Sequence, residues 1–249
     1  MHLQDPQGFE IRQPGSKKIH RVALVSLGPH HEWSGDGHDK LASIGFPIWG
    51  VRDVWSGKWL GLWVVPNNRR QKAVALLFLR LVEEYGGLSI QMSTDCGSET
   101  TQVFGLANAL REIFHPELSM EELPAHRFLR SVRNITIEQG WLAFRLQWGD
   151  NVKQFWLAGA NISDSDLIQW LWPPLIQAEL DKLRDRFNNH VVRKDSSKKN
   201  PSGVAPNVAM ALPEKHGGEN CLQQVDTSIL PGLIEVIQKG EDVLAFCSY

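Results

Sequence analysis

Cysteine is scarce in this chain. Cys96, Cys221 and Cys247 are its three cysteines, they lie far apart, and no two form a CxxC pair. That spacing excludes a disulfide framework and a zinc knuckle, and it suits a reducing compartment. Long apolar runs are missing as well. The longest notable one, WLGLWVV at 59–65, is far too short to cross a bilayer. The opening MHLQDPQGFE is too polar for a signal peptide. The expectation is a soluble intracellular protein with no membrane partner. Excess positive charge is also absent, with a net charge of −2 at pH 7 and a pI of ≈ 6.5. Binding to nucleic acid would therefore have to rest on local basic patches.

What is present is ordinary globular material: 249 residues, 42% apolar and 22% charged, enough for one domain with extensions or two small ones. Tryptophan is the exception, with ten residues, of which Trp33, Trp49, Trp55, Trp59 and Trp63 fall within one short stretch. Such a cluster can stack on bases or fill a sheet core. Most of these residues sit in strand-like apolar runs, where large aromatic area is normally buried, so the core reading is the expectation.

Along the chain, residues 1–29 form a polar leader in which 19–27 can make one short strand. A strand-like stretch at 31–41 is followed by β-rich runs at 46–55 and 58–66, with Ser56-Gly57 as the turn between them. Residues 69–87 are the clearest helix, with Ala73, Leu77 and Leu81 on one face and Gly86-Gly87 as the stop. LSIQMSTD (88–95) then reads as a strand parallel to an earlier one. A helix at 101–115, a strand at 125–130 and a helix at 134–149 complete the core. That last helix carries Ile137, Trp141, Phe144 and Trp148 as an apolar stripe. Ser163 with Asp166 resembles a capping box for a helix at 164–172, which Pro173-Pro174 should break before it resumes at 175–187. Residues 190–203 are polar and basic and read as a linker or arm.

Three acids stand out in this order of elements. Asp36 lies on the first strand, Asp95 ends the strand at 88–95, and Glu138 lies beside the stripe of the 134–149 helix. Two strand carboxylates and one helix carboxylate can converge on a pair of divalent cations of the kind that activates water at a phosphodiester.

The segments DGHDKL (36–41), GFPIWGVRDVWSGKWLG (45–61), TDCGSET (94–100), AHR (125–127) and NITIEQGW (134–141) resemble the integrase core domain family. This is the retroviral-type integrase and transposase catalytic domain, and the nearest likeness is to a largely fungal group related to mobile elements. The resemblance covers roughly 30–150 and, more weakly, the tail to about 226, including NPSGVAPN (200–207). TDCGSE looks like that family's DNGSE turn with Cys96 in place of Asn. RDVWSGKW (52–59) resembles its second strand, with Gly57 where Arg is usual.

The resemblance implies a ribonuclease H-like three-layer α/β/α fold with a mixed central sheet, a C-terminal helical extension and a flexible tail. The implied organisation is a leader at 1–29, a catalytic core at 30–150, a helical extension at 151–189, and a basic linker with a poorly ordered tail at 190–249. Asp36, Asp95 and Glu138 carry over as catalytic metal ligands. They would hold two Mg²⁺ or Mn²⁺ ions, Asp36 and Asp95 sharing one and Asp36 and Glu138 the other, for cleavage and strand transfer at DNA phosphodiesters. DNA, as element ends and target, is the implied partner, with a homo-oligomer and a nuclear location.

Departures from the pattern are a longer Asp95-to-Glu138 interval, no His-His-Cys-Cys module and no N-terminal helix-turn-helix. His30-His31 has no cysteine at zinc-ligand spacing. Among the other acids, Asp53 reads as a strand-end neighbour of the site. Asp39 should face away from Asp36 and contact Lys40 or a turn amide. Glu99 should cap the helix at 101–115. Arg127, Arg130 and Arg133 cluster without an acid just before the Glu138 helix, and Arg145 shares Glu138's helical face, so these four are the candidate phosphate contacts. Arg193, Lys194, Lys198 and Lys199 read as a solvated arm. Two rival functions remain: a non-catalytic, element-derived domain that binds DNA or protein, and a ribonuclease H-like nuclease acting on RNA–DNA hybrids.

Overall fold

The computed structural model describes residues 26–129, 134–159, 165–240 and 242–246. The strand-like and β-rich runs become β1 (Glu32–His38), β2 (Ile48–Asp53) and β3 (Trp59–Val64), an antiparallel meander. The helix of period 3.6 becomes α1 (Gln71–Tyr85) and returns the chain, past the two-residue β4 (Gly87–Leu88), to β5 (Gln91–Asp95). β5 pairs parallel to β1, as a strand–helix–strand crossover requires. α2 (Thr101–Phe114) leads to β6 (His126–Leu129), which pairs parallel to β5. The sheet order is β3-β2-β1-β5-β6. This is the mixed five-stranded sheet of the ribonuclease H-like fold.

Helices cover both faces. On one, α1 and α2 bury Trp33, Trp49 and Met92 among Val74, Leu77, Phe78, Val103 and Leu110. On the other, α3 (Ile135–Phe144) and the long α5 (Ser165–Asn189) bury Ile48, Trp59 and Leu62 against Ile137, Trp141, Phe144, Ile176 and Leu180. Burying each such side chain contributes about 1.5–3 kcal/mol, so both helical layers are held chiefly by the sheet. Of the five clustered tryptophans, Trp33, Trp49, Trp55 and Trp59 are at most 2% exposed and Trp63 packs against the core. The core reading of that cluster holds.

Three expectations differ from the fold. The helix beginning at 134 runs on past Phe144 through a wide turn at Arg145–Gly149 into α4 (Asp150–Gly159). Pro173 and Pro174 lie inside α5 without breaking it. Prolines remove two amide donors there, but the helix is pinned on both sides of them. Trp172 stacks on Phe46 at 6.3 Å, and Ile176, Leu180 and Leu183 are buried beyond. α5 also closes the free edge of β3. Gln177 accepts from the Val64 amide at 3.0 Å and donates to the Leu62 carbonyl at 3.0 Å. Asn188 pairs with the Trp59 amide at 2.8 Å and its carbonyl at 2.9 Å.

The third difference is the tail. Residues 190–240, expected as an arm and a poorly ordered end, fold back onto the core. They form α6 (Pro206–Ala211), β7 (Gln223–Gln224), which pairs with β4, and α7 (Leu230–Gln238). Val225 and Leu230 enter the α1–α2 core, and the Asn200 amide donates to the Val54 carbonyl at 3.0 Å. Sparse apolar residues suffice here because each meets an already formed apolar surface. Among the described residues no helix is long and apolar enough to cross a membrane.

Candidate active site

The sheet register decides where the acids stand. Ser34 of β1 lies opposite Ser93 of β5, so Asp36 and Asp95, two residues further along parallel neighbours, leave the sheet on the same face and at the same end. That end opens into a cleft of about 300 Å³ lined by Asp36, Asp39, Asn68, Arg69, Asp95 and the turn Gly97–Glu99. Ligand sites at the carboxyl ends of parallel strands are the rule in such sheets.

Glu138 arrives from above, in the first turn of α3. Two contacts fix that turn against β1. The buried Asn134 side chain accepts a hydrogen bond from the Ser34 hydroxyl and donates to the Gly35 carbonyl at 3.4 Å. One helical turn after Glu138, the indole N–H of Trp141 donates to Asp36 Oδ2 at 3.0 Å. The Trp141 ring lies over Gly50, the β2 partner of Asp36; a Cβ at Gly50 would come within 2.6 Å of it. The same ring stacks on His38 at 4.8 Å.

Electrostatics mark the same convergence. The Asp36 carboxyl is pushed up to about 7, first by burial and then by the charge of Asp95, with a smaller contribution from Glu138; the Trp141 indole and the Gly37 amide pull the other way. Asp36 thus feels both other acids of the set. Among the described residues no three His, Cys, Asp or Glu side chains stand close enough to form a ready metal cage. Asp36 and Asp95 line one open cleft, and Glu138 is not among the residues that line it.

The other candidates distribute differently from expectation. Asp39 does not face away, because β1 ends at His38 and Asp39 opens a 3₁₀ turn, so strand alternation does not apply to it. Its carboxylate accepts from the Asn68 amide at 2.6 Å and the Arg69 guanidinium at 3.1 Å, not from Lys40 or a turn amide. Glu99 makes no capping bond to α2 and instead folds over Gly97 at the cleft wall. Asp53 lies opposite Trp33, at the far end of β2 from Asp36's partner Gly50. It is fully buried and ties the first loop to the β2–β3 turn through the His30 amide at 2.8 Å and the Ser56 amide at 2.7 Å. His30 is a core residue whose Nδ1 accepts from the Trp33 indole at 3.1 Å.

Arg127 pairs with Glu32 at 3.0 Å, at the opposite end of β1 from Asp36. Arg145 lies 3.9 Å from Asp150 in the wide turn after α3. Arg130 and Arg133 lie outside the described residues, as does Ser163 of the capping box. Trp141, Asn134 and Arg69 were not singled out from sequence as site residues. The signals were faint: Trp141 read as one more apolar stripe residue, and the other two read as the polar first residues of helices.

The sheet order, with helices on both faces, is that of a ribonuclease H-like fold. The chain belongs to the integrase core domain family, whose model matches residues 23–212. Among solved structures it is similar to the catalytic core domain of BIV integrase, at 17% identity and a TM-score of 0.40, over 75% of this chain and 97% of that one. It is similar to the HTLV-2 integrase catalytic core domain in complex with magnesium, in a trimeric form, at 17% identity and a TM-score of 0.43, over 74% of this chain and 98% of that one. A third is the intasome of simian T-cell lymphotropic virus in complex with PP2A regulatory subunit B56 gamma, at 15% identity and a TM-score of 0.43, over 74% of this chain and 58% of that one. No curated protein matches the chain.

Proposed function

We propose that the protein is a divalent-metal-dependent polynucleotidyl transferase acting on DNA phosphodiesters, with Asp36, Asp95 and Glu138 as its catalytic carboxylates. One observation carries this reading: Asp36 and Asp95 line a single cleft, and the charges of Asp95 and Glu138 both act on Asp36. Crowded carboxylates repel one another unless a cation joins them. The donors are all oxygen, which fits hard ions such as Mg²⁺ or Mn²⁺, and these three residues would hold them. When bound, such ions neutralise charge at a phosphoryl oxygen and make water or a hydroxyl a better nucleophile.

The remaining work falls to the chain itself. The Trp141 N–H holds Asp36 in one orientation, and Asn134 with Ser34 fixes the start of the helix that carries Glu138. The Gly97–Glu99 turn walls one side of the cleft beside Asp95. A homo-oligomer and a nuclear location go with this reading.

The experiment is nicking and joining of a labelled DNA duplex with Mg²⁺ or Mn²⁺, in wild type and Glu138→Gln. That substitution keeps side-chain size and removes the charge. The expected result is a loss of at least about a hundredfold in both reactions with melting temperature and DNA binding retained. A wild type inert with both metals would sink the proposal in favour of a non-catalytic domain. Cleavage confined to RNA–DNA hybrids would move it to the nuclease reading.

A further inference from the structure

Among the described residues lining the cleft, Arg69 alone carries positive charge. Its guanidinium is 74% exposed and reaches Asp39 through Nη2 at 3.1 Å. Asp39 is itself held in place by the Asn68 carboxamide at 2.6 Å, and these two donors keep its carboxyl below the ordinary range. A Cβ at Gly37 would come within 2.7 Å of the Asn68 amide nitrogen, so glycine there lets Asn68 seat against β1. Gly37, Asn68, Asp39 and Arg69 therefore form a built rim on the cleft that also holds Asp36 and Asp95.

We infer that this rim is a seat for a backbone phosphate of the nucleic-acid strand, with Arg69 as the residue that grips it. A planar guanidinium matches phosphate oxygens two at a time, and the bond to Asp39 uses one N–H of Nη2, which leaves the second Nη2 hydrogen to complete a fork with a neighbouring nitrogen. Asp39 acts as the counter-ion that aims the fork, and its low pKa keeps it charged through the neutral range. High exposure leaves Arg69 open to a strand arriving from solvent. Of the arginines the sequence offered for this role, the two among the described residues are placed less well. Arg127 is paired with Glu32 at the far end of β1, and Arg145 stands by Asp150 beyond α3. The inference rests on the function proposed above, because it names how that cleft would hold its substrate.

The test compares wild type, Arg69→Ala and Arg69→Lys by fluorescence anisotropy on a labelled DNA duplex across a salt series, with Mn²⁺ titration calorimetry beside it. Arg69→Ala should weaken DNA binding about ten- to thirtyfold at low salt. It should also flatten the slope of log K against log salt by about one, as for one lost phosphate contact. Mn²⁺ binding and melting temperature should not change. Arg69→Lys should recover the salt slope but only part of the affinity, since a point charge replaces a fork. Wild-type affinity and slope in Arg69→Ala would overturn the seat, and they would do so without touching the enzyme proposal if cleavage persists. A duplex bound through Arg69 but never cleaved would keep the seat and remove the enzyme. A wild type that binds no duplex overturns both.

Discussion

Asp36 concentrates the chemistry of the site in one carboxyl. Its pKa in the fold, about 7, stands above its ordinary value, so the folded protein favours the protonated form. The stability this brings is full below about pH 4 and is lost as pH rises through about 7, where the charge has to be carried beside Asp95 and Glu138. A shift of that size corresponds to about 4 kcal/mol in full and about half of that at a partly exposed site. Asp36→Asn should therefore raise the melting temperature in EDTA at pH 8 and leave it nearly unchanged at pH 4. Equal effects at both pH values would show that the acids do not repel as described. Trp141→Phe keeps an aromatic ring but deletes the N–H and part of the buried indole. It should cost about 2–3 kcal/mol in stability and weaken Mn²⁺ binding several-fold, read by calorimetry. Unaltered Mn²⁺ affinity would reduce Trp141 to packing.

At the scale of elements, the strongest claim concerns how α5 covers β3. Asn188 is 5% exposed and serves both backbone groups of Trp59, as a neighbouring strand would. Open strand edges recruit other chains, so this carboxamide both stabilises and insulates the sheet. Asn188→Ala leaves a buried N–H and C=O without partners and should cost about 2–4 kcal/mol in chemical denaturation, with more aggregation on heating. A cost below about 0.5 kcal/mol would show that water replaces the amide. Much of this level was legible in the sequence. β-rich runs and the Ser56-Gly57 turn marked β1 to β3, and the Ala73–Leu77–Leu81 face marked α1. The bonds that join distant segments were not legible. Trp141 to Asp36, Asn134 to Ser34 and Asn188 to Trp59 each link positions about a hundred residues apart, and no local pattern encodes such a pair. Asp39 was misjudged for a local reason, because the strand ends one residue before it.

For the whole molecule, the segment after α5 is part of the core. Val225 and Leu230 are buried with α1, and β7 pairs with β4. Two such side chains represent about 3–6 kcal/mol of burial, a large share of the 5–15 kcal/mol that holds a typical domain. A chain stopped after Asn189 should be insoluble or should melt at least about 10 °C lower by circular dichroism, although every candidate catalytic residue is still present. Equal melting temperatures would mean that the segment rests on the core without supporting it. The sequence hid this because 204–239 is poor in apolar residues, and burial there depends on a surface made by other elements.

The same embedding of Val225 and Leu230 has a consequence for synthesis. On the ribosome, the acids and both parallel strands emerge well before the residues that complete the α1 side of the core. Until Leu230 clears the exit tunnel, α1 presents an uncovered apolar stripe, and the nascent polypeptide has to wait in an incomplete, chaperone-accessible state. The α1 side of the core is thus finished late, after translation has passed Asp95 by more than a hundred codons.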